Sequence, residues 1–319
     1  QGMLMLVGIL AVPLFAYHFL TTGGTTLSAG LEASGADSAN FLNLMKNGDG
    51  SNNIVSVISG LGWGLGYFGM PHILVRFMAV RDEKEMTKSK ATAISWVALS
   101  LGFAVFIGTL GRAYLPELVN GNNEKVFIEM IKKVFTVEMR APFIAGLFLC
   151  GILAAIMSTA DSQLLVSASS VAEDIFKGLL KKDADDKTVM NVSRVTVLVV
   201  AVLAYIIAWN PNNTVMGLVS NAWAGLGAAF GPLVVMSLYW KRTNFPGAVA
   251  GIVTGALAVI IWDYIPLVGG QTLGKATGLY SLVVGFGLGL IAIIAVSLAT
   301  KAPSEEMLQE FEDVKANRL

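Results

Sequence analysis

The chain has 319 residues, 55% of them hydrophobic and 14% charged, with a mean hydropathy of +0.67. An average soluble domain carries about 25% charged residues, so there are too few charges here to coat a globule and the composition points to lipid. Acidic and basic residues balance at 22 each, which argues neither for nucleic acid nor for an acidic ligand.

Long runs free of Asp, Glu, Lys and Arg mark candidate membrane helices. In chain order they cover 3–20, 54–75, 91–111, 141–172 (interrupted only by Asp161), 195–209, 215–240, 248–262 and 279–300, eight in all. The first run lacks a basic flank and a small-residue cleavage site, so it reads as a span rather than a cleaved leader. With eight spans, Arg76, Arg81, Lys84, Lys88, Lys90, Lys177, Lys181, Lys182, Lys187, Arg194, Lys241, Arg242, Lys301, Lys315 and Arg318 share one side, fifteen of the 22 basic residues. The positive-inside rule makes that side cytoplasmic.

The second span contains GLGWGLGYFGMPH (60–72), five glycines and a proline in thirteen residues. Irregular backbone survives in a bilayer only where protein buries it or a water-filled cavity lies beside it, and broken helices offer free peptide groups to ligands. The stretch therefore predicts a binding site in a helix broken near its middle. Trp63, Tyr67 and Pro71 stand at i, i+4 and i+8, one face where the segment is helical. Aromatic rings beside bared backbone suit a small zwitterion; close helix packing through small residues is the other reading.

Between the third and fourth spans, NGNNEKVFIEMIKKVFTV (120–137) places Val126, Phe127, Met130, Ile131 and Val134 at helical spacing. It predicts a short amphipathic helix along the outer surface. The fourth span carries Cys150, unpaired and read as a small buried hydrophobe, and then AAIMSTADSQLL (154–165). Ala155, Ser158 and Thr159 at i, i+3 and i+4 bring one carbonyl and two hydroxyls onto one face, oxygen ligands that a sodium ion accepts. Hydroxyls bonded back to the preceding turn are the alternative. Asp161 costs on the order of 3 kcal/mol if unpaired in the bilayer and marks a functional position.

WNPNNT (209–214) supplies the turn that cuts the charge-free run 195–240 in two. NAWAGLGAAFGPLVVMSLYWKR (221–242), with Gly225, Gly227, Gly231 and Pro232, reads equally as a gate or as a close-packed interface. Two histidines, His18 and His72, on different spans, and no metalloprotease, nucleophile-triad or phosphate-loop motif leave a membrane enzyme little to work with.

Together GWGLGYFGMPHILVRFMA (62–79), ILAAIMSTADSQLLVSASSVAEDIFK (152–177) and AWAGLGAAFGP (222–232) resemble the sodium:solute symporter family. The first and third are most similar to its proline-transporting branch. The resemblance implies an all-α polytopic membrane protein with a LeuT-type inverted-repeat core, incomplete here at about eight helices. Residues 1–319 would then form a single transmembrane domain, the C-terminal portion of a transporter. Within it, 1–22 would be the last helix of the first repeat, 52–240 the second five-helix repeat, 246–300 two peripheral helices and 301–319 a cytoplasmic tail. On that pattern Trp63, Tyr67 and Pro71 match substrate-binding positions, Ala155, Ser158 and Thr159 match sodium-binding positions, and 215–240 is a gating helix. The implied activity is sodium-coupled symport of L-proline by alternating access, in a multi-pass protein of the bacterial cytoplasmic membrane. Its partners would be proline, the sodium ion and the lipid bilayer, with no nucleic acid and no enzymatic step. Another small solute such as pantothenate or a sugar, or a transporter-like membrane sensor, is the alternative.

Overall fold

The computed structural model describes residues 2–120, 123–210 and 214–316. Its elements in chain order are α1 (Gly2–Thr22), α2 (Leu27–Ala33), α3 (Ser38–Phe41), α4 (Ile54–Gly62), a 3-10 stretch (Trp63–Gly69), α5 (Pro71–Met78) and α6 (Glu83–Tyr114). There follow α7 (Val126–Ile131), α8 (Pro142–Ser169), α9 (Asp186–Ala208), α10 (Val215–Tyr239) and α11 (Phe245–Tyr264). A two-stranded hairpin, β1 (Pro266–Val268) with β2 (Gln271–Thr272), then leads through α12 (Leu273–Thr277) to α13 (Ser281–Ala299) and α14 (Glu305–Lys315). Wide-turn π-helical segments, Lys132–Glu138 and Ser170–Leu180, extend α7 and α8.

Among the described residues seven helices are long and apolar enough to cross a membrane, and α4 with α5, bent by 57° at their break, makes an eighth when the pair is counted as one span. Each of the eight runs read from the sequence is one of these spans. α9 starts earlier than its run because Asp185 caps it, accepting from the Thr188 N–H, and its first turns are charged. The charge-free run is cut where α9 ends and α10 begins; the centre of the proposed turn, 211–213, lies outside the described residues, as do 121–122 of the amphipathic segment and 317–319 of the tail.

The chain divides into two compact units, one of residues up to Ser51 with Val80–Thr214, the other of Asn52–Ala79 with Val215 onward. In the first, α1, α2, α6, α7 and α8 enclose a core of Val12, Leu31, Leu110, Met130, Ile131, Val134 and Phe135. The amphipathic segment is helical as read, and its apolar face is deep in this core: Met130, Ile131 and Val134 are fully buried. Lys133 stays outside that seam, its ammonium donating to the Tyr114 carbonyl at 2.8 Å and lying over the Tyr114 ring. Cys150 is exposed on α8, not buried, because the neighbours of that helix cover only a narrow strip of it.

In the second unit α10, α11 and α13 pack around Ala224, Ala228, Val259, Leu282 and Phe286. Glycines let the helices approach: a Cβ on Gly255 would sit 2.0 Å from the Ala228 carbonyl oxygen, and one on Gly251 2.3 Å from Ile293. Asn244 closes the start of α11, its carboxamide oxygen accepting from the Gly247 N–H and its nitrogen donating to the Lys301 carbonyl at 2.7 Å. The tail is helical: α14 is capped by Ser304 and tied to the α10–α11 turn by a 2.9 Å Lys241–Glu312 ion pair.

Candidate substrate and ion sites

The second span is broken, and its break is built in three steps. α4 tightens at Trp63 into a 3-10 stretch ending at Gly69. Met70, buried and extended at φ −92° and ψ 110°, interrupts the helical path. Pro71 then opens α5 at the first helical position, where its fixed φ fits and its missing N–H costs nothing. No side chain caps that start. A carbonyl-bearing helix end therefore meets an amide-bearing helix start within a few residues, the pair of opposite partial charges that a zwitterion's ammonium and carboxylate require.

Three of the five glycines at the break serve packing. A Cβ on Gly62 would fall 2.3 Å from Val283, one on Gly66 2.0 Å from the Trp223 indole nitrogen, and one on Gly69 2.4 Å from the Leu226 carbonyl oxygen. Gly60 and Gly64 face no atom within 4 Å. Close packing and a broken backbone thus coexist: small residues bring the stretch against α10 and α13, and the helical path is still interrupted.

Trp63 and Tyr67 do not share a face by α-helical spacing, since their stretch is 3-10 and repeats every three residues. Trp223 of α10 joins them. Its indole N–H donates to the Trp63 carbonyl at 2.9 Å. Its ring stacks on Trp63 with centroids 5.6 Å apart, and meets Tyr67 nearly perpendicularly at 4.9 Å. Tyr280, just before α13, also stacks on Trp63 at 5.7 Å. Trp63 is consequently half-buried, while Tyr67 is 43% exposed. Pro71 is exposed on the far side of the break. In the sequence Trp223 lies in the stretch that reads as a gate or a close-packed interface, and no local pattern marks Tyr280; only the fold pairs them with Trp63.

The oxygen-bearing face lies on α8, in the other unit. Thr159 donates to the Ala155 carbonyl at 3.1 Å, and Ser162 to the Ser158 carbonyl at 3.0 Å. The back-bonded alternative is therefore present for Thr159. The hydroxyl oxygens keep their lone pairs when they donate, but the Ala155 carbonyl also closes α8 by accepting the Thr159 N–H, so it faces an ion only when the Thr159 hydroxyl turns its proton away. Ser158 Oγ has no hydrogen-bond partner among the described residues, and Ser158, Thr159 and Asp161 are exposed. Ser158 and Thr159 thus present two hydroxyl oxygens on one open surface beside the Ala155 carbonyl, hard oxygens of the kind a small monovalent cation accepts.

A nearly all-helical structure with seven or eight candidate spans among its described residues, one of them broken, defines a polytopic membrane protein. The profile described as the sodium:solute symporter family matches residues 1–255, and the chain belongs to that family, a family of transporters. It is 38% identical to the high-affinity proline transporter PutP of Bacillus subtilis, over 98% of this chain and 62% of that protein. With the sodium/proline symporter of Escherichia coli it shares 45% identity over 83% of this chain and 51% of the relative. With the osmoregulated proline transporter OpuE of Bacillus subtilis it shares 39% over 98% and 60%. The chain spans about half to three-fifths of the length of these relatives.

Proposed function

We propose that this protein carries out sodium-coupled uptake of L-proline by alternating access in a bacterial cytoplasmic membrane. The observation that carries this is the span broken at Met70, which sets uncapped helix ends beside the exposed ring of Tyr67. Proline has a compact apolar ring that an aromatic face accepts, and two charged groups that match the opposed dipoles at the break. The names of the relatives, each a proline carrier, favour this solute over pantothenate or a sugar.

Trp63, Tyr67 and Pro71 form the substrate site in this reading, and Ala155, Ser158 and Thr159 contribute the sodium ligands. Residues 1–22 are the end of the first repeat, 52–240 the second, 246–300 two peripheral helices and 301–319 a cytoplasmic tail. The opposite-class reading, an enzyme, has no support in a family of transporters.

The test is counterflow of labelled proline in proteoliposomes containing the protein as its gene encodes it, with and without sodium. Exchange of internal proline for labelled external proline that needs sodium is the expected result. Exchange of pantothenate or a sugar instead would reassign the solute; the absence of exchange with any of them would remove the carrier.

A further inference from the structure

The broken segment is gripped from outside by two aromatic residues with no assigned role. Trp223 makes three distinct contacts with it. Its single N–H donates to the Trp63 carbonyl, its ring lies 16° from parallel with the Trp63 ring, and it stands 85° to Tyr67. Gly66 makes room for it, since any side chain there would occupy the place of the indole nitrogen. Tyr280 is itself fixed twice: its hydroxyl donates to the Ser220 carbonyl at 2.7 Å, one turn before Trp223 on α10, and its backbone N–H donates to Ser59 on α4 at 3.0 Å. Ser59, Tyr280, Ser220, Trp223 and Trp63 therefore form a closed circuit between the helix entering the break and α10.

This circuit distributes the work of the aromatic residues unevenly. Trp63 has two rings stacked on it and is half-buried, so its faces are covered by protein and its share of the site is smaller than that of Tyr67. Tyr67 is engaged through one perpendicular contact and is open. An indole N–H has one donor and nowhere else to spend it, so the bond to the Trp63 carbonyl fixes where that backbone lies. A 3-10 turn has poorer internal hydrogen-bond geometry than an α-turn and needs such a constraint to hold one conformation.

We propose that Trp223 is a positioning residue of the solute site. It holds the 3-10 stretch and the Tyr67 ring in the arrangement that accepts the solute, with Tyr280 bracing Trp63; Tyr67 makes the contact. The identity of the solute rests on the proline reading above, whereas the positioning role does not.

The experiment compares the wild type with Trp223→Phe, which keeps a ring to stack and removes the donor, and with Trp223→Leu, which removes both. Two indoles stacked this closely couple their transitions, so the wild type should show an exciton couplet in circular dichroism that both variants lose. In Trp223→Phe the proline KM should rise about five- to tenfold, the effect of one neutral hydrogen bond. Maximal rate and sodium requirement should stay within about twofold. Trp223→Leu should raise the KM further. An unchanged proline KM in Trp223→Phe, or equal shifts in the proline and sodium constants, overturns the proposal.

If Trp223→Phe does not fold, Tyr280→Phe tests the same circuit. It breaks only the bond to Ser220, and it too should raise the proline KM without moving the sodium requirement; an unmoved KM there overturns the proposal equally. A wild type that shows the couplet but carries no proline would defeat the functional reading and leave the aromatic assembly standing. An active wild type without the couplet would do the reverse.

Discussion

Gly66 shows how much a single hydrogen atom in place of a side chain decides. A methyl group there would meet the Trp223 indole at 2.0 Å, and neither partner can yield easily: one is backbone in a tight turn, the other a ring fixed by a hydrogen bond and two aromatic contacts. Gly66→Ala should therefore cost about 1–3 kcal/mol, as overpacking does, and lower the unfolding temperature of the purified protein. Gly60→Ala and Gly64→Ala meet nothing within 4 Å. Gly60 lies inside α4, where alanine is the better helix former, so that variant should match or exceed wild-type stability in the same thermal scan. The sequence alone could not sort these glycines. Five of them with Pro71 announced a break, but which ones touch a neighbour depends on where α10 and α13 lie, and no local pattern records that. Ala155, Ser158 and Thr159 were more legible because their grouping follows from the α-helical period alone, and α8 is a regular helix there. The shared α-helical face read for Trp63 and Tyr67 is not present, since their stretch is 3-10; what links the two rings is Trp223 of α10.

At the scale of elements, hydropathy located the candidate spans found among the described residues, the bent pair included, because length and absence of charge are local properties. The elements it did not register are polar or short: α2, α3, the β1–β2 hairpin, α12 and α14. Packing between elements also escaped it. The approach of α11 to α10 at Gly255 is backbone against backbone, with the Ala228 carbonyl oxygen 2.0 Å from where a Cβ would stand. Gly255→Leu should separate these helices and greatly reduce the yield of monodisperse protein on gel filtration, whereas Gly287→Ala on α13, with no atom within 4 Å, should leave it unchanged. The tail helix offers a test of charge. The Lys241 ammonium donates to Glu312 and holds its carboxyl below the usual carboxylate range. A depressed folded-state value means that docking of α14 is favoured fully above the ordinary carboxylate pKa of about 4.3 and loses that favour as the pH falls through the folded value. A spin label at Ala316 should thus be immobilised at neutral pH and become mobile on acidification below about pH 4. In Glu312→Gln it should show the same mobility throughout.

For the whole molecule, the question is whether a cation on α8 can drive a solute held at the Met70 break. One sodium ion entering across 100 mV and down a tenfold gradient releases about 3.7 kcal/mol, enough for roughly 500-fold accumulation of an uncharged or zwitterionic solute. That energy reaches the solute only if each ligand changes the other's affinity, and the two factors must then be equal. The proposed substrate positions and ion positions belong to different compact units, so under the proposed function the coupling would be carried by an equilibrium between conformations that both ligands bias. In the proposed reading the hydroxyls supply the ion's part of that bias. Ser158 and Thr159 present their oxygens on the open face of α8, while the Ala155 carbonyl persists whatever side chain follows it. Replacing both Ser158 and Thr159 with alanine should therefore weaken sodium binding without removing it, raising the sodium concentration for half-maximal uptake on the order of tenfold or more, as expected when two oxygen ligands worth about 1 kcal/mol each are lost. Proline affinity measured without sodium should be untouched, because Trp63, Tyr67 and Trp223 keep their contacts. At a fixed subsaturating sodium concentration the apparent proline affinity should fall, and saturating sodium should restore it. Equilibrium binding of labelled proline across a sodium titration measures all three quantities. If the double variant weakened proline binding equally at zero and at saturating sodium, the hydroxyls would be acting on the fold and not on the ion.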